Sequence, residues 1–172
     1  MTSLFNPVIL EKRVALTPKE MTEELAKNPD AFIVEKLRTE IEGRCCTDGF
    51  VQSGSTQVLG RSMGQAEHGH FTGDFIFQVK LQVYCFNPHA DQILTVVIQQ
   101  SNRSGCYCTL VEDPSAIRVL LSRDFHIGNT EFDALTVGQT IQVRILRSIF
   151  QVNDPFIQAV GVLESVATDG SQ

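Results

Sequence analysis

The sequence predicts an α+β protein in two parts, in which helices pack on an antiparallel sheet and a small closed β-barrel follows. A capped helical segment lies near the N-terminus, and "DFIFQVKLQVYCF" alternates apolar and polar residues. The last part of the chain, about eighty residues, then holds five strand patterns and no helix long enough to cross over. We place the boundary after Phe86, which gives domains at 1–86 and 87–172.

The first strand is predicted over "PVILEKRVAL" and leads into a helix start. Thr17 can cap this helix, Pro18 suits its first position and Glu20 stands where a capping box needs a carboxylate. Asn28-Pro29 interrupts the helix, because proline removes a donor and disfavours helical geometry in the residue before it. A second helix is predicted from about Asp30 to Arg38.

From Glu40 the apolar period changes to two, and "EIEGRCC", "GFVQSGSTQVLGR" and "DFIFQVKLQVYCF" are predicted as three strands. The third is the clearest, and we expect it to be the spine of the first domain, packed against the helices. Between the second and third strands, "GRSMGQAEHGH" is a polar loop. It is long for such a connection, and long loops on rigid supports are often functional.

The second domain is predicted to be a five-stranded OB-type barrel. Its strands are predicted at Ile93–Gln100, Cys106–Glu112, Ile117–Leu121, Thr140–Ser148 and Phe156–Leu163. "QQSNRSGCYC" is predicted to form the first hairpin of this barrel, in which Gly105 takes a positive φ and Arg103 is an exposed charge. Such an arginine either contacts a ligand or is only solvated, and the hairpin alone does not decide between them.

Composition limits the classes of function. The chain has 172 residues, of which 42% are hydrophobic, so it can bury a core. It has no run of eighteen apolar residues and no basic start before an apolar segment, so we expect a soluble intracellular protein without a membrane span or signal peptide. Five cysteines, an odd number without framework spacing, favour reduced thiols. The formal charge of −6 argues against a broad nucleic-acid clamp, so any nucleic-acid contact must be local.

Two catalytic or metal hypotheses find little support. Cys45, Cys46, His68 and His70 lack the spacings of structural zinc sites. A cysteine hydrolase would need His126 beside a thiolate, and no local motif indicates one. We therefore predict no metal, no cofactor and no active site of the chain's own.

Binding of a single strand is better supported. On an OB barrel the outer face of the central strands carries such ligands, with aromatic side chains for stacking and cations for the backbone. Tyr107 is predicted to face outward beside the turn that holds Arg103, and Arg118 and Arg123 follow in the next strand and its exit. With so few cations the site would be weak at physiological salt, and it would need tethering to something that already holds RNA.

The order of these segments resembles the stalk subunit of multisubunit DNA-directed RNA polymerases, which is the seventh subunit of eukaryotic RNA polymerase II and has an archaeal counterpart. The resemblance covers about residues 5–165. It is carried by "LTPKEM", "EKLRTEIEGRCCTDGFV", "FQVKLQVYCFNPHADQILTVVIQQSNRSGCYC", "VLLSRDF" and "FQVNDPFIQAVGVL". None of these is a sharp catalytic motif, and their order and spacing together make the match.

The resemblance implies a truncated RNP-like N-terminal domain that docks on the polymerase core through a tip loop, here Gly60–Gly73. It also implies a C-terminal S1-like OB domain that reaches toward the nascent single-stranded RNA, and a small helical fourth-subunit-like partner. In similar proteins the turn that holds Arg103 carries a basic residue on the RNA-facing side of the barrel, so the predicted RNA contacts are Arg103 with Tyr107, Arg118 and Arg123. The docking residues are Gly60, Arg61, Met63, Gly64, His68, His70 and Phe71.

The chain is more acidic than such an RNA binder would be, and its tip loop carries His68 and His70 beside Glu67. Its divergence is similar to that of polymerase subunits encoded by large DNA viruses. A cellular eukaryotic copy would act in the nucleus, and a viral one in the cytoplasm or virion. The alternative is a free-standing S1-like RNA-binding protein in translation or RNA decay.

Overall fold

The computed structural model describes residues 3–22, 27–69 and 71–167. The chain divides into two compact units, one formed by Met1–Glu42 with Val51–Cys85 and the other by Gly43–Phe50 with Phe86–Gln172. No helix in the described part is both long and apolar enough to cross a membrane.

The strands that precede the barrel form one sheet, organised around one long strand. They are β1 (Asn6–Leu16), β2 (Cys45–Cys46), β3 (Gly49–Val51), β4 (Gln57–Arg61), β5 (Gln65–Ala66) and β6 (Phe75–Phe86), and the order in the sheet is β1-β6-β3-β2. Strand β1 pairs antiparallel with β6 from Asn6 opposite Cys85 to Leu16 opposite Phe75. Strands β4 and β5 pair antiparallel with the other edge of β6. The predicted spine is therefore the central strand of this sheet.

The helix α1 (Pro29–Ile41) begins after the predicted break, with proline in its first turn. Its buried residues Ile33, Leu37 and Ile41 are four residues apart and form one stripe. This stripe continues through Ile41, so the strand predicted over "EIEGRCC" is wrong before Cys45. The strand predicted over "GFVQSGSTQVLGR" is likewise two strands, β3 and β4, separated by a turn.

The predicted helix at Thr17 is described only at its start. The Glu20 carboxylate accepts hydrogen bonds from the Thr17 N–H at 2.8 Å and from its hydroxyl at 3.0 Å. The bond from the Thr17 backbone is the main reason why the pKa of Glu20 is below its ordinary value. The rest of this predicted helix runs into residues 23–26, which lie outside the described residues. In the described part of this unit the helix is α1.

The second unit contains a closed five-stranded barrel. Its strands are β7 (Ile93–Asn102), β8 (Gly105–Leu110), β9 (Ile117–Ser122), β10 (Thr140–Ile149) and β11 (Ile157–Val166). The order around the barrel is β10-β11-β9-β8-β7, and β10 also pairs with β7, which closes it. Strands β9 and β11 are parallel, and a 3₁₀ turn (Arg123–His126) and the short helix α2 (Thr130–Asp133) lie between β9 and β10. This is the strand order of an OB-like barrel, as predicted.

The barrel interior follows the alternation of its strands. Cys106 and Cys108 on β8 and Val119 and Leu121 on β9 are buried, and the residues between them, Tyr107 and Leu120, point outward. Each fully buried large apolar side chain contributes about 1.5–3 kcal/mol to the stability of the fold. The strands therefore keep these residues inside, and this determines which residues lie on the outer surface.

Gly105 is required where the hairpin meets β9. Its φ is +147°, and a Cβ built there would lie 2.0 Å from the carbonyl oxygen of Leu121. The preceding turn is fixed by Asn102, whose side-chain oxygen accepts hydrogen bonds from the N–H groups of Ser104 and Gly105. Gly105 therefore allows the two strands to approach closely.

We expect Gly105→Ala to destabilise the barrel by about 3 kcal/mol or more, because overpacking costs about 1–3 kcal/mol and the unfavourable backbone adds about 1 kcal/mol. The matched control is Gly128→Ala, whose φ is also positive (+79°) but whose Cβ would meet nothing within 4 Å. Urea unfolding of both variants checks this. Equal losses would show that strand approach at Gly105 does not matter.

Glu42 fixes the turn between β3 and β4. Its carboxylate accepts hydrogen bonds from the N–H groups of Gly54 at 2.8 Å and Thr56 at 3.2 Å. Burial acts to raise the pKa of Glu42, but these bonds and the nearby Arg38 outweigh it and hold the pKa below its ordinary value. The ionised carboxylate is thus favoured in the folded state.

We expect Glu42→Gln to cost about 1–2 kcal/mol at pH 7, because a neutral amide oxygen is the weaker acceptor. A carboxyl whose pKa is lowered by folding contributes stability above its unfolded pKa of about 4.3 and loses it as the pH falls through the folded value. The difference between parent and variant should therefore shrink below about pH 4. Urea unfolding at several pH values measures it. The control is Glu40→Gln, which removes an exposed carboxylate two residues away and should cost less stability at pH 7.

Candidate functional site

The outer wall of the barrel carries two rows of side chains across strands β8, β9, β11 and β10. The strand registers place Tyr107 opposite Leu120, Leu120 beside Val160, and Val160 opposite Arg147. The second row runs from Thr109 through Arg118 and Gln158 to Ile149 by the same registers. On β8, β9 and β11 the residue between these positions is buried in the core, so both rows point outward.

Two depressions lie on this wall and meet at Tyr107 and Arg118. The first encloses about 410 Å³, and the second, over β7, β8 and the start of β9, about 770 Å³. The first is lined by Tyr107, Arg118, Leu120, Arg147, Ser148, Ile149, Phe156, Gln158, Ala159 and Val160. The second is lined by Gln99, Gln100, Tyr107, Cys108, Thr109, Pro114 and Arg118. Tyr107 and Arg118 were both predicted from the sequence, and the structure brings them together where the depressions join.

Arg118 is held in place by an aromatic ring. Its guanidinium carbon lies 4.0 Å from the centroid of the Phe156 ring, which is close enough for a cation–π interaction. Tyr107 is 42% exposed on the adjacent strand. The wall therefore presents a positioned cation between two aromatic side chains, an arrangement that suits the stacked bases and phosphates of a single strand.

The arginines of the barrel and its turns differ in their partners. Arg144 forms an ion pair with Glu164, through Nη2 at 2.5 Å and Nε at 3.0 Å. In the described part of the chain, the other four arginines of the barrel and its turns form no ion pair. They are Arg103, Arg118, Arg123 and Arg147. These four cations remain available to an anionic ligand, although the chain as a whole is acidic.

Arg103 and Arg123 lie at one end of this wall and line neither depression. Arg103 is exposed in the β7–β8 turn, as predicted. The N–H of Arg123 donates to the carbonyl of Ser104 in the same turn at 3.0 Å, so the two arginines are attached to adjoining backbone. Gly105, the first residue of β8, is two positions from Tyr107. Arg103 and Arg123 therefore lie about 7 Å beyond Tyr107 along the strand direction.

Sequence reasoning missed several residues of the wall, namely Arg147, Phe156, Gln158, Gln99 and Gln100. All of them lie in or next to strands that were predicted correctly. The outward phase of β11 was the available signal for Gln158. Arg147 and Gln100 share the phase of the buried residues of β10 and β7, and the register shifts after Ile145 and Ile98 leave them exposed. Pairing of β11 with β9 in parallel is what brings Phe156 and Gln158 to Arg118, and strand patterns do not give that pairing.

The loop predicted for docking is partly paired. Gly60 and Arg61 belong to β4, and Gln65–Ala66 form β5, so the prediction of one open loop is wrong there. The Arg61 guanidinium forms an ion pair with Asp30 and lies 5.5 Å from the centroid of the Phe77 ring.

The rest of the predicted docking set is less constrained. Met63 and Phe71 are the most exposed large apolar side chains of the described chain, and Gly64 lies against the Phe77 ring. His68 lines a shallow depression with Arg13 and Glu67, which form an ion pair at 2.7 Å. His70 lies outside the described residues.

The groups considered for nucleophilic or metal chemistry have structural environments. The His126 ring donates from Nδ1 to the Ser122 carbonyl at 2.6 Å and accepts at Nε2 from the Leu163 N–H at 2.9 Å. It also stacks on Phe132 with a centroid distance of 4.2 Å. Burial raises the pKa of Cys45 to about 11 and that of Cys108 to about 12, so both are thiols at neutral pH. Within the described ranges no three His, Cys, Asp or Glu side chains are grouped to hold a metal ion.

No protein-family model and no curated protein matches the chain. Among solved structures, the chain is similar to an uncharacterised protein from Methanocaldococcus jannaschii, with 18% identity and a TM-score of 0.33. The match covers 43% of this chain and 92% of the other.

Proposed function

We propose that this chain is a non-catalytic subunit of a multisubunit DNA-directed RNA polymerase, in which the OB-like barrel holds nascent single-stranded RNA. The observation that carries the proposal is the wall around Tyr107 and Arg118. In a chain of formal charge −6, four arginines without an ion-pair partner in the described structure lie on or beside the outer wall of this barrel. OB barrels bind single strands on such surfaces.

The four arginines account for the expected strength of binding. With about four phosphate contacts and a single-strand slope of about 0.7 per phosphate, affinity falls about 50-fold between roughly 50 and 200 mM salt. Binding of this kind is useful to a protein that is already held beside the transcript. This favours a polymerase subunit over a free-standing RNA-binding protein.

In this proposal the first unit is the truncated RNP-like docking domain. The support comes from its sheet of β1 and β6 with the helix α1, and from the exposed apolar side chains of Met63 and Phe71 beside β5. Polar contacts hold this region in place, since Arg61 is paired with Asp30 and the Ser62 N–H donates to the Gln78 carbonyl at 2.8 Å. Exposed apolar side chains next to such contacts are suited to burial against a protein partner.

We expect Arg103→Glu with Arg123→Glu to weaken binding of a single-stranded RNA by tenfold or more at about 50 mM salt and to lower the salt slope by about 1.4, since two contacts at about 0.7 each are lost. Fluorescence anisotropy against salt measures both quantities. The control is Lys12→Glu with Lys19→Glu, which changes the net charge equally at exposed positions of the first unit. An equal effect of the two double variants would show that only net charge matters.

The assignment to a polymerase is tested by recovery of a tagged chain from its native cells or infected extract, followed by mass spectrometry. We expect large polymerase subunits in the recovered material. Met63→Ser with Phe71→Ser should lower their amount several-fold, because the apolar contact is lost, and the Arg103→Glu, Arg123→Glu variant should recover the parent amount. Absence of polymerase subunits, together with tight RNA binding at physiological salt, would support the free-standing RNA-binding protein instead.

A further inference from the structure

We propose that the first depression, on the wall formed by β9, β11 and β10, receives a base of single-stranded RNA while Arg118 and Arg147 hold the phosphates on either side of it. This inference rests on the RNA-binding function proposed above. It adds Arg147 and the apolar floor of Leu120 and Val160 to the set of Arg103, Tyr107, Arg118 and Arg123, and it defines which part of the ligand this depression takes.

The depression has an apolar floor between two polar ends. Leu120 and Val160 are adjacent, half-buried members of one row, with Tyr107 at one end of that row and Arg147 at the other. Neighbouring strands are about 4.8 Å apart, so Tyr107 and Arg147, three strands apart, are separated by about 14 Å along the wall. The depression has a volume of about 410 Å³, which falls in the range of small-ligand pockets and leaves room for a planar base with its sugar.

The charge of the lining selects an anion. It includes two arginines and no acidic residue, and neither arginine takes part in an ion pair within the described chain. The Phe156 ring fixes the Arg118 guanidinium, which reduces the side-chain entropy that is lost when a phosphate binds. Arg144, on the same strand as Arg147, is instead neutralised by Glu164 and lines neither depression.

A nucleotide strand fits these features better than an acidic peptide. Each nucleotide offers a flat ring, which can lie on the apolar floor, and a phosphate, which can bind one of the two flanking arginines. Ser148 and Gln158 at the rim can exchange hydrogen bonds with a base edge. The wall also continues through Tyr107 into the second depression, where Gln99 and Gln100 can meet the next nucleotide.

The test uses the full chain with three probes at about 50 mM salt, namely a fluorescent ten-nucleotide oligouridine, an abasic ribose-phosphate chain of equal length, and a polyglutamate peptide as competitor. We expect the oligouridine to bind at least about fivefold more tightly than the abasic chain, because stacking favours the base. Val160→Phe fills the depression without changing charge and should remove this preference. Arg147→Ala should weaken oligouridine binding about threefold or more and lower the salt slope by about 0.7.

Arg144→Ala is the matched control, because it removes the same charge from the same strand outside the depression, and it should leave affinity and slope unchanged. Arg147 is exposed, so its variant tests the proposal even where Val160→Phe fails to fold. Unchanged binding in Arg147→Ala, or competition by polyglutamate equal to that of oligouridine, would overturn the base pocket. If Arg103→Glu with Arg123→Glu still weakened binding, the proposed function would stand without it. Absence of oligouridine binding by the parent chain would overturn both.

Discussion

Closure of the five-stranded barrel is the constraint on which the rest of this structure depends. Strand β10 pairs with both β7 and β11, so the barrel has no free edge, and each strand must direct alternate residues into one small core. On β8 this rule buries Cys106 and Cys108 and turns Tyr107 outward. The same rule on β9 turns Arg118 outward between buried neighbours. The candidate site is therefore a direct consequence of core packing.

The acidic composition and the proposed RNA-binding role are compatible because the favourable charge is local. Fields between exposed charges are screened over about 8–10 Å in ordinary salt, so a ligand at Arg118 responds mainly to the charges beside it. Arg144 shows the contrast, since its ion pair with Glu164 leaves little charge for a ligand. A surface of this type gives weak, salt-sensitive binding that becomes useful when the protein is held close to its strand.

The first unit supplies a different kind of surface. Its central strand β6 carries β1 on one edge and the short strands β4 and β5 on the other. Ionic contacts from Arg61 and Arg13 hold the segment that follows β4, while Met63 and Phe71 stay exposed beside it. Contacts that hold such a segment lower the entropy lost on association, and this supports the docking role proposed for it.

The sequence by itself determined the five barrel strands, the spine strand, the second helix and the outward position of Tyr107. Each of these follows from local periodicity or from a turn residue, as at Gly105. Tertiary structure decided what depends on pairing between distant segments. The parallel pairing of β9 with β11 brought Phe156 and Gln158 to Arg118, and the continued helical stripe through Ile41 replaced a predicted strand.

The Cys45 N–H donates to the Asp154 carbonyl, and the Cys45 carbonyl accepts from the Asn153 N–H. These bonds join residues 43–50 to the rest of the second unit, because backbone groups find partners in space that no local pattern specifies.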